Sequence, residues 1–306
     1  MLSDRKILVT GATGQIGRPI AEKLAADNEV WCAARFSDPA LRREIEKVGI
    51  KTCAWSIEAN DFSAIPDDFT HVVHAAFVII EPEHDAAVRV NAESTGMLMQ
   101  HCRRAESFLF VSASAVYERQ DPEHRYAETD PLGGKASYMT SYPVAKIASE
   151  GVVRAAARML DLPATIARMN IGYGMASHGG LPVLFFQQIL AGQPISVPRG
   201  YDNWGSPISE ADIAEQASGP LFDVASVPAT VLNWAGDEAV SHRQLAEYLG
   251  ELAGIAPQFV EDDVTLDSFA SDNTRREKLV GSCAVRWRDG VRSTLERRFP
   301  DAFAAR

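Results

Sequence analysis

A doubly wound parallel α/β sheet of about seven strands with a smaller C-terminal α/β lobe is the fold this 306-residue sequence predicts. Three observations predict it. A short apolar run, Ile7-Leu8-Val9, enters a loop holding Gly11, Gly14 and Gly17, and from there Ile16, Ile20 and Leu24 recur at helical spacing. Further apolar segments of strand length follow along the chain, most of them separated by stretches with helical periodicity. The chain is also long enough to bury a full core in one large domain plus a lobe.

In the first unit, the glycines fall where the chain must turn sharply, bring its backbone close to a ligand and pack helix against strand. The helix N-terminus offers free N–H groups and partial positive charge to a pyrophosphate. The segment Gly11-Ala12-Thr13-Gly14-Gln15-Ile16-Gly17 has G-x-x-G-x-x-G spacing. It resembles the short-chain dehydrogenase/reductase superfamily, in particular its extended, NAD-dependent epimerase/dehydratase-like branch. The resemblance implies a Rossmann sheet, a nicotinamide cofactor held by Gly11, Thr13, Gly14, Gln15, Ile16 and Gly17, and an oxidoreductase or epimerase activity.

The second strand is Glu29 to Ala34, and Arg35 ends it 18 residues beyond Gly17. NAD-specific proteins of this shape use an acidic residue near this point for the ribose hydroxyls. Arg35 instead presents a guanidinium fork suited to a 2′-phosphate, which favours NADP over NAD. An arginine that merely extends into solvent, and Asp38 as a late ribose partner, are the alternatives. A helix is predicted over Asp38 to Val48 and a third strand over Ile50 to Trp55, where Ser56 stands in place of the family's adenine-facing Asp. His71 to Ala76 is the fourth strand, and Val73-His74-Ala75-Ala76 is similar to the family's V-x-H-x-A-A. Ala75 and Ala76 are small enough to lie against the cofactor, and His74 reads as a structural histidine.

The next helix, His84 to Ala105, carries Asn91 on its inward face. A buried amide needs partners, so Asn91 either ties neighbouring backbone together or holds a water in a proton relay. Ser107 to Ser112 is the fifth strand. Ser112-Ala113-Ser114-Ala115-Val116-Tyr117 resembles the family's serine-rich segment, with two departures: Ala113 occupies the position of the usual catalytic Ser or Thr, and Glu118 replaces a glycine. Either Ser112 or Ser114 then orients the substrate oxygen, or the acid/base tyrosine alone polarises it. Ala115 and Ser114 stand where the family's dehydratases carry an acid pair, which argues against elimination chemistry.

Tyr142 and Lys146 stand four apart in a helix predicted over Tyr142 to Asp161, so both face one way. A phenol is a weak acid at about pKa 10, and a neighbouring ammonium favours phenolate. Tyr142 is thus the candidate acid/base, with Lys146 tuning it and, by resemblance, bonding the nicotinamide ribose. Tyr138 is a rival only by proximity.

The sixth strand is Ala164 to Ile171, with Arg168 and Tyr173-Gly174 matching the family's R-x-x-x-x-Y-G. Beyond it come a glycine-rich loop at Ser177 to Pro182, a short helix at Leu184 to Leu190, a seventh strand at Ala229 to Ala235, Ser241 as N-cap of a helix at His242 to Ala253, and a helix near Asp289 to Phe299. Asn203-Trp204-Gly205 holds the place where sugar-nucleotide enzymes carry a diphosphate-binding arginine, Arg199 lies out of register, and Trp204 suggests a less phosphorylated, apolar substrate, with a tryptophan that only packs as the equal alternative. The sequence divides into a dinucleotide-binding domain, residues 1–174 and 213–236, and a substrate lobe, residues 175–212 and 237–306.

A net charge of −11 disfavours nucleic acid, no apolar run is long enough for a membrane span, and Met1 to Lys6 is too short and polar for a signal peptide, so a cytoplasmic protein is expected. Cys32, Cys53, Cys102 and Cys283 and the seven histidines show no metal-ligand spacing. The expected activity is NAD(P)-dependent hydride transfer to or from a carbonyl or alcohol carbon of a small molecule. The alternatives are a sugar-nucleotide epimerase that retains its cofactor and a cofactor-sensing regulatory protein without turnover. Family resemblance also implies a homodimer pairing the helices that begin near Asp85 and Tyr142.

Overall fold

A computed structural model of the chain describes residues 1–134, 136–137 and 139–303. Its centre is a seven-stranded sheet made of β1 (Lys6–Thr10), β2 (Glu29–Ala34), β3 (Lys51–Ala54), β4 (His71–His74), β5 (Ser107–Ala113), β6 (Ala164–Met169) and β7 (Thr230–Trp234). Every pairing is parallel, in the order β7-β6-β5-β4-β1-β2-β3. Chain order reverses between β1 and β4, and the crevice beyond their carboxyl ends is where such sheets bind ligands. Strands buried on both faces are continuously apolar, and Ile7, Leu8 and Val9 are all fully buried.

Two apolar layers sandwich the sheet. On one side α1 (Gly17–Leu24) inserts Ile20 and Leu24 beside Ile213, Leu221 and Trp234. On the other, Leu98, Met99 and Cys102 meet Val153 and Ala157 of α2 (Ser141–Leu160). A third cluster joins the helices Leu181–Leu190, His242–Ala253 and Trp287–Arg298 through Phe186, Ile189, Leu245, Leu249, Trp287 and Leu295. Ser241 caps its helix with a full capping box shared with Gln244. No described helix is long and apolar enough to cross a membrane.

Four segments differ from expectation, the first being the helix expected at Leu184, which starts at Leu181 inside the expected loop because Pro182 is accommodated in its first turn. The fourth strand ends at His74, because Ala75 and Ala76 leave the sheet to pack on Gly11, whose absent Cβ would sit 2.7 Å from Ala76 N. The helix from His84 ends at His101 and contains a π-turn over Arg89–Glu93, which turns Asn91 inward. The sixth strand stops at Met169: Asn170 bends the chain by accepting from the N–H of Ile171, and Ile171–Tyr173 pairs instead with Pro207–Ser209.

Candidate active site

The glycine loop folds back on itself. Gly11 adopts φ +70°, its carbonyl accepts from Gly14 N at 2.9 Å, and a Cβ on Gly17 would lie 2.5 Å from that same oxygen. Only glycine permits this approach of backbone to backbone. The loop borders a groove of about 220 Å³ running from Gly11, Thr13 and Gly14 past Arg35 and Trp55 to Ala75, Ala76 and Phe77. The backbone cradle, small strand ends and apolar wall fit the phosphates and adenosine of a dinucleotide. Arg35 is exposed at the groove edge. Asp38 is instead the N-cap of the helix Pro39–Lys47, accepting from Ala40 N at 2.8 Å. Ser56 bonds within its own turn, accepting from Glu58 N at 3.2 Å. The Gln15 amide donates to Gly172 O, and Ile16 touches Gly172. Thus Gln15 and Ile16 face a second cavity rather than the groove.

The end of β4 is organised by a buried polar ladder. Thr95 Oγ donates to Asn91 O at 2.7 Å, so toward His74 Nε2, 3.1 Å away, it must accept. His74 therefore carries its proton on Nε2, and Nδ1 accepts from Thr10 Oγ at 2.7 Å. Thr10 Oγ in turn accepts from Ala76 N at 3.2 Å. Burial, reinforced by Lys146, pushes His74 down to about 3, which keeps the imidazole neutral. Asn91 spends its amide on backbone, accepting from Val78 N and donating to Val78 O and Ala87 O, each at 2.9 Å. Of its two expected roles, this geometry is the tie between backbone segments.

The loop after β4 reaches the helix of Tyr142 and Lys146 twice, through residues that the sequence did not single out. Glu81 accepts from Ser141 N and Tyr142 N, both at 2.9 Å, capping the start of α2. Phe77 lies 4.1 Å beneath the Lys146 ammonium and meets the Tyr142 ring edge-on at 5.1 Å. Set with its histidine on His74, the pattern V-x-H-x-A-A ends at Phe77, so an aromatic ring occupies the place of its second small residue. Lys146 donates to Val111 O at 2.7 Å, and its ammonium is 5.8 Å from the centre of the Tyr142 ring. Burial pushes Lys146 down to about 7, with the Glu150 carboxylate acting the other way.

The two candidate serines separate. Ser112, still in β5, donates to Glu150 Oε1 at 2.7 Å. Glu150 also receives Arg168 Nε at 2.9 Å and Nη2 at 2.8 Å, in a fully buried bidentate pair. Burial alone would lower the Arg168 guanidinium, but this carboxylate more than offsets it and the net shift is upward. Ser114 begins a 3₁₀ turn and lines the second cavity with Tyr142. Tyr138 lies outside the described residues.

This second cavity, about 420 Å³, adjoins the glycine loop at Gln15 and Ile16 and extends to the helices Leu181–Leu190 and His242–Ala253. Its walls are mainly apolar, from Ile16, Met139, Met169, Leu181, Leu184, Trp204 and Phe269. Arg199 does not reach it; it pairs with Asp263 at 3.0 Å on the surface. His242 lines the cavity and is pushed down to about 4 by burial, against the opposing charge of Asp202. Among the described residues, no cluster of three or more metal-ligating side chains occurs.

A model of the NAD dependent epimerase/dehydratase family matches residues 7–206. A curated relative, methionine adenosyltransferase 2 subunit beta of Pongo abelii, is 23% identical over 256 residues, covering 80% of this chain and 71% of the relative. Two solved structures are similar throughout. UDP-glucuronic acid 4-epimerase from Bacillus cereus, in complex with UDP-glucuronic acid and NAD, has TM-score 0.81 and 19% identity, with coverage of 96% of this chain and 100% of that one. UDP-glucose 4-epimerase from Thermus thermophilus, in complex with NAD, has TM-score 0.79 and 23% identity, with coverage of 98% and 99%. At these identities the structural likeness is one of fold.

Proposed function

The chain belongs to the NAD dependent epimerase/dehydratase family, and on that premise we propose that it is an NADP-dependent oxidoreductase acting on a carbonyl or alcohol carbon. The observation that carries this reading is the placing of Tyr142 and Lys146 together against Phe77, a residue of the glycine-loop groove, with Tyr142 also lining the second cavity beside Ser114. A bound nicotinamide supplies or accepts the hydride. Gly11, Thr13, Gly14 and Gly17 hold its phosphates, with Gln15 and Ile16 bracing the loop, Ala75 and Ala76 leaving room beside it, and Arg35 taking the 2′-phosphate of NADP.

The protein's own part is proton transfer and orientation. Tyr142 gives the proton to the substrate oxygen in reduction and removes it in oxidation, and Ser114 donates a hydrogen bond to that oxygen. Burial lowers the Lys146 ammonium toward neutrality, against the Glu150 carboxylate, so its hold on the phenol weakens as pH rises. Ser112, held by Glu150, supports the strand end, and Asn91 acts by fixing Val78. Residues 1–174 and 213–236 serve the cofactor and residues 175–212 and 237–306 the substrate. Two copies pair through the helices that start near Asp85 and Tyr142.

Two other readings have a specific observation behind them. The family and the solved neighbours favour a sugar-nucleotide epimerase, which would use the same residues. Ala113, together with a relative named as a subunit of an adenosyltransferase, favours a regulatory subunit that binds cofactor without turnover. The test is NADPH oxidation followed by absorbance with a panel of carbonyl compounds, beside UDP-glucose isomerisation. Net NADPH loss that disappears in Tyr142→Phe, with cofactor affinity retained, supports the reductase. Epimerisation without net loss, or binding with neither reaction, overturns it.

A further inference from the structure

We propose that the second cavity receives an uncharged, largely apolar carbonyl compound or alcohol, with no nucleoside diphosphate handle. The inference rests on the oxidoreductase reading and names the substrate class of that same site. None of the described residues lining the cavity is lysine or arginine. Its carboxylate, Asp267, is buried and already satisfied: it pairs with Arg119 and accepts from Ser137 N at 2.9 Å and Ser137 Oγ at 2.8 Å.

Gln15, Asn170 and His178 of the wall are likewise bonded to the protein, whereas the Nδ1 of His242 is buried without a partner among the described residues. Asn170 accepts from Ile171 N at 3.0 Å and from Ser206 N at 2.9 Å, while its amide donates to Phe269 O at 2.6 Å. His178 Nδ1 accepts from Gly180 N at 3.1 Å. The nearby cations point elsewhere. Arg125 stacks on Trp204 at 5.0 Å and donates to Glu123 O, and Arg243 pairs with Asp202 at 3.3 Å. A diphosphate entering here would lose its hydration and meet no cation among the described lining residues, an uncompensated burial of charge. An apolar body instead covers Met169, Leu184 and Phe269, with its one polar oxygen directed to Tyr142 and Ser114. Leu184, 43% exposed at the rim, is the kind of bare apolar surface that such a ligand would shield.

The test uses the full chain and 6-propionyl-2-(dimethylamino)naphthalene, an uncharged aryl ketone whose emission shifts to the blue in apolar surroundings. Wild-type protein is expected to give saturable, blue-shifted emission that uridine diphosphate and UDP-glucose do not displace. Leu184→Arg and Leu184→Glu, both at a solvent-exposed position and checked for folding by circular dichroism, should each weaken the probe about tenfold or more. Displacement of the probe by uridine diphosphate or UDP-glucose, unchanged probe affinity in both variants, or no saturable binding overturns the inference. Because this readout needs no hydride transfer, a chain that binds the probe as expected but oxidises no NADPH with any carbonyl compound refutes the catalytic reading and leaves the assignment of the cavity standing.

Discussion

Replacing Glu150 with Gln removes the charge from an ion pair buried on both sides while keeping the side chain's shape. The wild-type carboxylate is 2% exposed and accepts three hydrogen bonds, two from Arg168 and one from Ser112, at 2.7–2.9 Å. After the substitution Arg168 remains charged and 2% exposed, and its remaining company is uncharged: the new amide's oxygen, the Glu128 carbonyl at 3.3 Å and the face of Tyr117 at 4.8 Å. Breaking one side of such a pair costs about 3–5 kcal/mol, a large part of a typical stability of about 5–15 kcal/mol. With a urea slope of about 3 kcal/mol/M, the unfolding midpoint should fall by roughly 1–1.7 M, followed by far-UV circular dichroism at pH 7. Replacing both partners, as Glu150→Leu with Arg168→Met, removes the stranded charge and should restore most of the loss. A midpoint shift below about 0.3 M for Glu150→Gln, or a double variant less stable than the single one, would refute the view that this pair braces α2 against β5 and β6.

Arg35→Ala should weaken NADP about 10- to 100-fold, the worth of a charge-assisted hydrogen bond, while NAD changes little by calorimetry; equal losses would remove the phosphate role. Gly17→Ala pushes a methyl group to 2.5 Å from Gly11 O, so cofactor affinity and melting temperature should fall together, and a variant matching wild type in both contradicts the folded-back loop. Lys146 has its folded-state value lowered to about 7 from an ordinary 10.5. Between those two values the unfolded chain holds the extra proton, so stability should rise with pH across this window, by an amount of order a few kcal/mol. Lys146→Met should flatten that rise in urea titrations, and an unchanged slope would show that the ammonium is solvated. Glu81→Ala should cost about 1–2 kcal/mol by loss of the cap on α2, with kcat falling more than cofactor affinity; kcat equal to wild type would sever the link from this loop to Tyr142.

Local pattern carried most of the architecture. Strand boundaries such as Glu29–Ala34, the cap at Ser241 and the glycine loop depend on neighbours within a few residues, and periodicity records such neighbours directly. Tyr142 and Lys146 were legible for the same reason: a helix with 3.6 residues per turn puts positions four apart on one face. The choice between Ser112 and Ser114 was not legible. Strand alternation would put both on one side, but the strand ends at Ala113 and a 3₁₀ turn sends Ser114 to the cavity, leaving Ser112 to Glu150, 38 residues away. Phe77 beneath Lys146, Glu81 on the N–H groups of Ser141 and Tyr142, and His242 in the cavity wall likewise join residues far apart in the chain. The sequence alone determined the sheet, the glycine cradle and the tyrosine–lysine pair, because each is set by short-range backbone and helical geometry. Only the tertiary structure decided which serine faces the second cavity, what buries the lysine and how few charges line that cavity among the described residues, because those depend on which distant segments the packed sheet brings together.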